Sequence, residues 1–216
     1  MLPTLTTRPV TRVPADARLD QLLDVYVSAY ADYVDAHDLP VNLCIHASRI
    51  TSAVLAHFGI NGAVPVGVDL VAVHPSAASL LASGTAPWEL PGHLDVVGSM
   101  GTDAAIGDRW LGHVLTYVQA LQGRRTARLV DPTAAQFSAP ILGINVEGLV
   151  VDASDDFLRG RPLVTHTKGA TIWRKRNARL DGFRGEVADQ QFIDEVAAAL
   201  VEVVADATRP LGRRAA

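Results

Sequence analysis

Hydrophobic residues recur at helical spacing near the start of the chain. At 15–37, leucines, tyrosines and valines lie three or four positions apart, which predicts an amphipathic helix. The same spacing predicts a second helix at 42–59, with Asn42 as its N-cap and Gly59 at its end. Two helices are therefore expected before any strand.

Short segments rich in valine and isoleucine occupy the middle of the chain. They are bounded by Gly, Pro, Asn or Asp, which is typical of strands. The predicted strands lie at 63–73, 93–100, 113–118, 127–131, 148–151 and 170–176. A helical pattern follows at 187–209 and stops at Pro210. Helices packed on a mostly antiparallel sheet, with a closing C-terminal helix, indicate an α+β fold.

Length and composition favour one folded domain. The 216 residues fit a single domain at 1–216, with an extended N-terminal segment at 1–14 and a frayed tail at 210–216. Apolar residues make up 49% and charged residues 19%, which argues against intrinsic disorder. The segments 74–92 and 99–109 are looser connections, and long loops often border a site.

Charge and hydropathy limit the partners. The net charge is −4 and the arginines are scattered, so no basic face for nucleic acid is expected. No run approaches the roughly 20 apolar residues of a membrane span, so no membrane partner is expected either. The N-terminus lacks a charged-then-apolar secretion signal, which together with the single cysteine predicts a cytoplasmic location.

Cys44 is the only cysteine in the chain. A lone cysteine is most often a small core residue, and this alternative stays open. Its position in the first turn of the second predicted helix favours the thiolate, because unpaired backbone N–H groups stabilise negative charge there. A nucleophilic thiolate also needs a histidine beside it and an acid that orients the histidine.

A predicted hairpin supplies such a pair. "LQG" at 121–123 is typical of a three-residue turn with a following bulge. If Ala120 pairs with Arg124, His113 lies directly opposite Asp131 on one face, with Cβ atoms about 5 Å apart. Each residue also has an ordinary explanation, as a strand histidine and as a turn residue before proline. Their shared face favours a catalytic pair.

The order of these residues resembles a known family. Cys44 at a helix start, then "GHV" at 112–114, then "LVDPT" at 129–133 is similar to the transglutaminase-like branch of the papain-like cysteine fold. That branch includes transglutaminases, arylamine N-acetyltransferases and the leader peptidases of lasso-peptide biosynthesis. The resemblance covers 42–137 and implies that this segment is a catalytic core.

The resemblance implies acyl transfer through a thioester on Cys44, with His113 moving the proton and Asp131 orienting the imidazole. It implies a peptide or protein substrate and no cofactor. Hydrolysis of a peptide, isopeptide or other amide bond is the first expectation, and transfer to an amine, as in a transglutaminase or acetyltransferase, is the second. A catalytically silent binding module of the same fold and an unrelated protein with a buried thiol stay open, and so does the oligomeric state.

Several features depart from the family pattern. The long separation between Cys44 and His113 implies an insertion within 60–109. No glutamine shortly precedes the cysteine, so the expected oxyanion donors are its backbone N–H and Asn42. Trp110 and Gln136 are weaker candidates for substrate contact.

Other sites receive less support from the sequence. His46 and His93 could join His113 around zinc, but no metal-ligand spacing is present, and no metal is expected. The Gly-rich segment 98–107 lacks a phosphate-binding pattern. Trp88, like Trp110, is expected to fill the core rather than to form an aromatic wall at the site.

Overall fold

The computed structural model describes residues 15–40, 43–91, 96–99, 105–106, 109–110, 112–120, 126–185 and 189–209. The α-helices are α1 (Ala15–Ala36), α2 (Cys44–His57), α3 (Ala78–Ala82) and α4 (Gln190–Ala207). The strands are β1 (Ala63–Val73), β2 (Val96–Ser99), β3 (Ala105–Ile106), β4 (Arg109–Trp110), β5 (His113–Val118), β6 (Ala127–Asp131), β7 (Leu149–Ala153), β8 (Leu163–His166) and β9 (Thr171–Arg176).

The main sheet has seven strands. Six of them run in the order β7-β6-β5-β1-β9-β8, and β2 pairs with the C-terminal half of β1. Every pairing is antiparallel, and β3 and β4 form a separate two-stranded ladder. The predictions of an α+β class and of a mostly antiparallel sheet are therefore confirmed.

Three helices cover one face of this sheet. α4 packs against both α1 and α2, and α2 packs on β5 and β1. The shared core holds the apolar stripes that the sequence pattern predicts, including Leu19, Leu23, Tyr26, Ile50, Val54, Leu55, Val196 and Leu200. Burial of these stripes supplies the driving force for docking, and the prediction of a closing C-terminal helix is confirmed.

The opposite face of the sheet carries a second core. Leu115 and Tyr117 of β5 and Leu129 of β6 belong to it. Because side chains alternate along a strand, His113 shares this face with Leu115, and Asp131 shares it with Leu129. Both residues lie at an end of a central strand, and β5 packs against α2.

Some predicted boundaries differ from the structure. The N-cap of α2 is Leu43 rather than Asn42, which lies outside the described residues. The segment 74–92, predicted as a loose connection, contains α3 and short 3₁₀ helices. β3, β4 and β8 were not predicted, because two to four residues are too few to establish a period. The predicted extended segment 1–14 and tail 210–216 also lie outside the described residues.

Candidate active site

Cys44 occupies the first position of α2, as the sequence predicts. The helix begins there without a side-chain cap, since the preceding Leu43 has no polar group to offer. Cys44 is 7% exposed and packs against Val114 of β5 and Phe183. Cys44 therefore has apolar neighbours and little exposed surface.

A close approach of backbone places Phe183 beside the thiol. Phe183 belongs to the 3₁₀ helix Ala178–Gly185, which lies against β1 at Gly67. A Cβ at Gly67 would lie 2.7 Å from Cβ of Leu180, closer than two such carbons approach in proteins. The missing side chain at Gly67 thus lets this helix pack on the sheet and bring Phe183 against Cys44.

His113 and Asp131 contact each other as the predicted hairpin requires. Nε2 of His113 lies 2.9 Å from Oδ2 of Asp131, and both side chains are almost completely buried. The strand register, however, differs from the prediction: Thr116 lies opposite Val130 instead of Arg128. A shift of two residues keeps every side chain on its predicted face, so the pair meets diagonally rather than directly across the strands.

Asp131 is held from several sides. Thr133 donates a hydrogen bond to its Oδ1 at 3.2 Å, while His113 occupies Oδ2. Burial alone would raise the pKa of the Asp131 carboxyl, but the charge and hydrogen bond of His113, the charge of Arg174 and the Thr133 hydroxyl outweigh it and lower the pKa. Asp131 is therefore ionised at neutral pH.

His113 forms the link between this carboxylate and the thiol. Burial acts to lower the pKa of His113, but Asp131 raises it by charge and hydrogen bonding, and the side chain of Cys44 adds to the rise in both ways. The net result is a raised pKa. The imidazole is thus protonated at neutral pH and lies close enough to Cys44 for the thiol side chain to act on its pKa.

The second ring nitrogen of His113 has a polar neighbour. The side-chain amide of Gln136 lies 3.1 Å from Nδ1, and its nitrogen also donates to Thr133 at 3.4 Å. The amide nitrogen is the atom that faces Nδ1, which suits a neutral imidazole; the protonated imidazole that Asp131 favours requires the amide to turn its oxygen toward Nδ1. Phe137 packs edge-on against the ring with centroids 5.0 Å apart and fixes its plane.

Arg174 lies fully buried on β9 near Asp131. Its Nη1 donates to Thr165 at 2.7 Å, while Nε and Nη2 find no hydrogen-bond partner among the residues that the structure describes. Burial lowers the pKa of the guanidinium to about 10, against the opposing effect of the Asp131 charge. Arg174 therefore remains a cation at neutral pH and favours the ionised state of Asp131.

Tyr30 of α1 lies near Cys44 and Asp131, on the side of the helices. Its side chain is 3% exposed. Burial raises the pKa of its hydroxyl, and the charges of Cys44 and Asp131 raise it further. Tyr30 is therefore a neutral hydroxyl close to both the thiol and the carboxylate.

The remaining predicted residues have different outcomes. Asn42 lies outside the described residues, and for Trp110 only the backbone, in β4, is described. Gln136, named from the sequence as a weaker candidate for substrate contact, lies against His113. The expectation that Trp88 fills the core is wrong: it is 64% exposed, because the short helix Pro87–Glu89 leaves its ring edge-on against the surface of Trp173.

Sequence reasoning missed three residues of this group. Thr133 follows Asp131 by two positions, a spacing at which a hydroxyl can turn back to the carboxylate, so its role had a visible signal. Arg174 had none, because a charged residue in a strand is ordinarily expected to face solvent. Phe183 reaches Cys44 through a long-range contact that no local pattern encodes.

Metal and membrane sites receive no support from the described residues. Within those ranges, no group of three or more His, Cys, Asp or Glu side chains is arranged to hold a metal ion. His46 instead packs edge-on against Phe192. None of the helices in the described part of the chain has the length and apolar character needed to cross a membrane.

Comparisons with known proteins gave no match. No protein-family model, no curated protein and no solved structure is significantly similar to this chain. Arguments about function therefore depend on the geometry of the site itself.

Proposed function

We propose that this protein is a cysteine-dependent acyl-transfer enzyme that hydrolyses a peptide, isopeptide or other amide bond. The observation that carries the proposal is the position of His113, bonded to a buried carboxylate through Nε2 and in range of the Cys44 thiol. Nucleophile, proton carrier and orienting acid in this order form the arrangement that activates a thiol.

The raised pKa of His113 defines the first step. A cationic imidazole beside Cys44 stabilises the thiolate, and the start of α2 adds the positive end of the helix dipole. The thiolate attacks the carbonyl carbon, and a C–S bond forms. The negative charge that develops on the carbonyl oxygen is stabilised by backbone N–H groups at the helix start.

The same imidazole completes the cycle. The C–N bond breaks as His113 gives its proton to the departing amine, which leaves a thioester on Cys44 and a neutral imidazole. A water molecule then gives a proton to His113 as its oxygen attacks the thioester carbonyl. The C–S bond then breaks, which releases the acid product and restores the thiolate–imidazolium pair. Nε2 is bonded to Asp131 and Nδ1 faces the Gln136 amide at 3.1 Å, so the Gln136 side chain turns away when Nδ1 takes part in these transfers.

A papain-like, transglutaminase-like fold is part of this proposal. The order of Cys44, His113 and Asp131 along the chain, a nucleophile at a helix start and an acid at the end of the neighbouring strand support it. An amine in place of water as the acceptor gives the transferase alternative. We favour hydrolysis because water is always present.

A binding module of the same fold is the second candidate. It is favoured by one observation, the 7% exposure of Cys44 between Val114 and Phe183. If substrates do not reach the thiol, the group formed by Cys44, His113 and Asp131 only stabilises the fold, and no acyl group is transferred.

Exposure to electrophilic peptides tests the proposal. The wild-type protein is incubated with a library of peptide acyloxymethyl ketones and with aminomethylcoumarin amides of the same peptides, and intact mass spectrometry locates any adduct. We expect a single adduct on Cys44, none in Cys44→Ala, and release of the coumarin by the wild type alone. Added methylamine distinguishes transfer from hydrolysis through the mass of the product. Absence of both labelling and turnover would leave the binding module as the better account.

A further inference from the structure

A cleft opens next to the candidate active site, between the C-terminal part of α1 and the segment after β6. It has a volume of about 410 Å³, part of it open to solvent. The part of this space comparable with the volumes of ligand pockets is about 80 Å³, well below the range for whole ligands, so the cleft has room for one side chain of a longer substrate. Its lining residues are Tyr30, Ala31, Val34, Asp35, Pro40, Pro132, Thr133, Ala135 and Gln136.

Three residues of the lining connect the cleft to the reacting group. Gln136 contacts Nδ1 of His113, and Thr133 donates to Asp131. Tyr30 lies close enough to Cys44 and Asp131 for their charges to act on its hydroxyl. A side chain bound in this cleft would therefore belong to a residue next to the bond that Cys44 attacks.

The walls of the cleft are largely apolar. Val34, Pro40 and Pro132 supply aliphatic surface, and the ring of Tyr30 adds to it. Prolines keep this surface rigid, since their φ angles are fixed. Such walls suit a long hydrocarbon stem, which gains free energy by leaving water.

The lining of the cleft also carries negative charge. Asp35 lines it and is exposed, and within the described ranges no lysine or arginine pairs with its carboxylate. Asp35 also lies in the last turn of α1, where the helix dipole adds partial negative charge and no basic residue offsets it. Two independent sources of negative potential thus border an apolar cleft.

We infer that this cleft binds the side chain of a lysine or arginine adjacent to the scissile bond, so that the preferred substrates are peptides with a basic residue at that position. The hydrocarbon stem lies along Val34, Pro40 and Pro132, and the cationic end faces Asp35. Amphipathic side chains of this kind pack their stems on apolar surface while the charge stays near water. The inference rests on the proposed function, because it assigns the specificity of the same site.

A matched set of probes tests this assignment. Peptide acyloxymethyl ketones that carry lysine, arginine, norleucine or glutamate at the residue next to the electrophile are compared by their second-order rate constants for labelling Cys44. Norleucine matches the stem of lysine without its charge. We expect lysine and arginine to react about tenfold faster than norleucine, glutamate to react slowest, and the preference to weaken at high salt.

Variants on α1 distinguish an effect of the Asp35 carboxylate in the cleft from an effect of negative charge elsewhere on the same helix. Asp35→Asn is expected to bring the lysine to norleucine ratio close to one, and Asp35→Glu is expected to keep most of it. Asp32→Asn removes an exposed acid from the same helix that does not line the cleft, so it should leave the ratio at its wild-type value. Melting temperatures of the three variants check that the fold is retained.

The outcomes separate the two proposals. Equal labelling by all probes, or a lysine preference that survives Asp35→Asn, overturns the assignment of the cleft while the proposed acyl transfer stands. Failure of every probe, and of iodoacetamide, to label Cys44 removes the proposed function and the cleft assignment together.

Discussion

Replacing His113 with glutamine is expected to slow alkylation of Cys44 by iodoacetamide by up to about 30-fold at pH 7, the full span between a thiolate and an ordinary thiol with a pKa near 8.5. The reason is the raised pKa of His113, which keeps a cation beside the sulfur. Glutamine keeps a polar side chain at the end of β5 but carries no charge. The rate is measured by quenching at intervals and quantifying the modified protein by intact mass.

His46→Gln is the matched control for this variant. His46 lies two positions after Cys44 on α2, yet its ring packs against Phe192. If proximity in sequence were enough, this change would also slow alkylation. We expect the wild-type rate instead. Equal rates in wild type and His113→Gln would mean that the imidazole does not act on the sulfur.

Replacing Asp131 with asparagine is expected to destabilise the fold most strongly in mildly acidic solution, by on the order of 3 kcal/mol, the cost of breaking a buried ion pair. The pKa of Asp131 in the folded state lies below its ordinary value of 3.8, so its contribution is present above about pH 4 and is lost as the pH falls through the folded-state pKa. The pKa of His113 lies above 6.5, so its contribution is complete below that pH and is lost as the pH rises through the folded-state pKa.

The pair therefore stabilises the folded state fully between about pH 4 and pH 6.5. Urea unfolding at pH 5.5 and pH 9 measures the free energy of unfolding of wild type and Asp131→Asn at each pH. The difference between the two proteins should shrink at pH 9. Asp152→Asn, which removes an exposed carboxylate paired with Arg128 at the next strand, is the control and should show a small difference at both pH values. A difference for Asp131→Asn that is the same at pH 5.5 and pH 9 would contradict the ion pair.

The sequence predicts the helices and the central strands well because their signals are local. The apolar stripe of α1 and the valine-rich pattern of β1 each repeat over more than ten residues, so boundaries agree to within one residue. β3 and β4 have two residues each, and their pairing depends on the surrounding chain rather than on any pattern of their own.

The contact between His113 and Asp131 was predictable for a reason that also explains the error in its register. The residue period of a strand is two, so any even shift in the hairpin keeps both side chains on one face. The turn model placed the strands two residues out of register, and the pair still meets because both side chains are long enough to reach diagonally.

The other residues of the candidate site come from elements that are distant in sequence, so the sequence did not predict them. Arg174 approaches Asp131 from β9, which is separated from β6 by two strands of the sheet. Phe183 reaches Cys44 only because the chain at Gly67 leaves room for the helix that carries it. Such contacts are set by the packing of elements distant in sequence, and local periodicity carries no information about them.

The pH dependence of Cys44 alkylation in the wild-type protein tests the central claim most directly, namely that the sulfur lies beside a cationic imidazole held by Asp131. An ordinary thiol reacts about tenfold faster for each pH unit up to about pH 8.5. We predict that the wild-type protein reacts faster than His113→Gln at every pH from 6 to 8, because the imidazolium cation beside the sulfur is present throughout that range. A wild-type curve superimposable on that of His113→Gln would contradict the account.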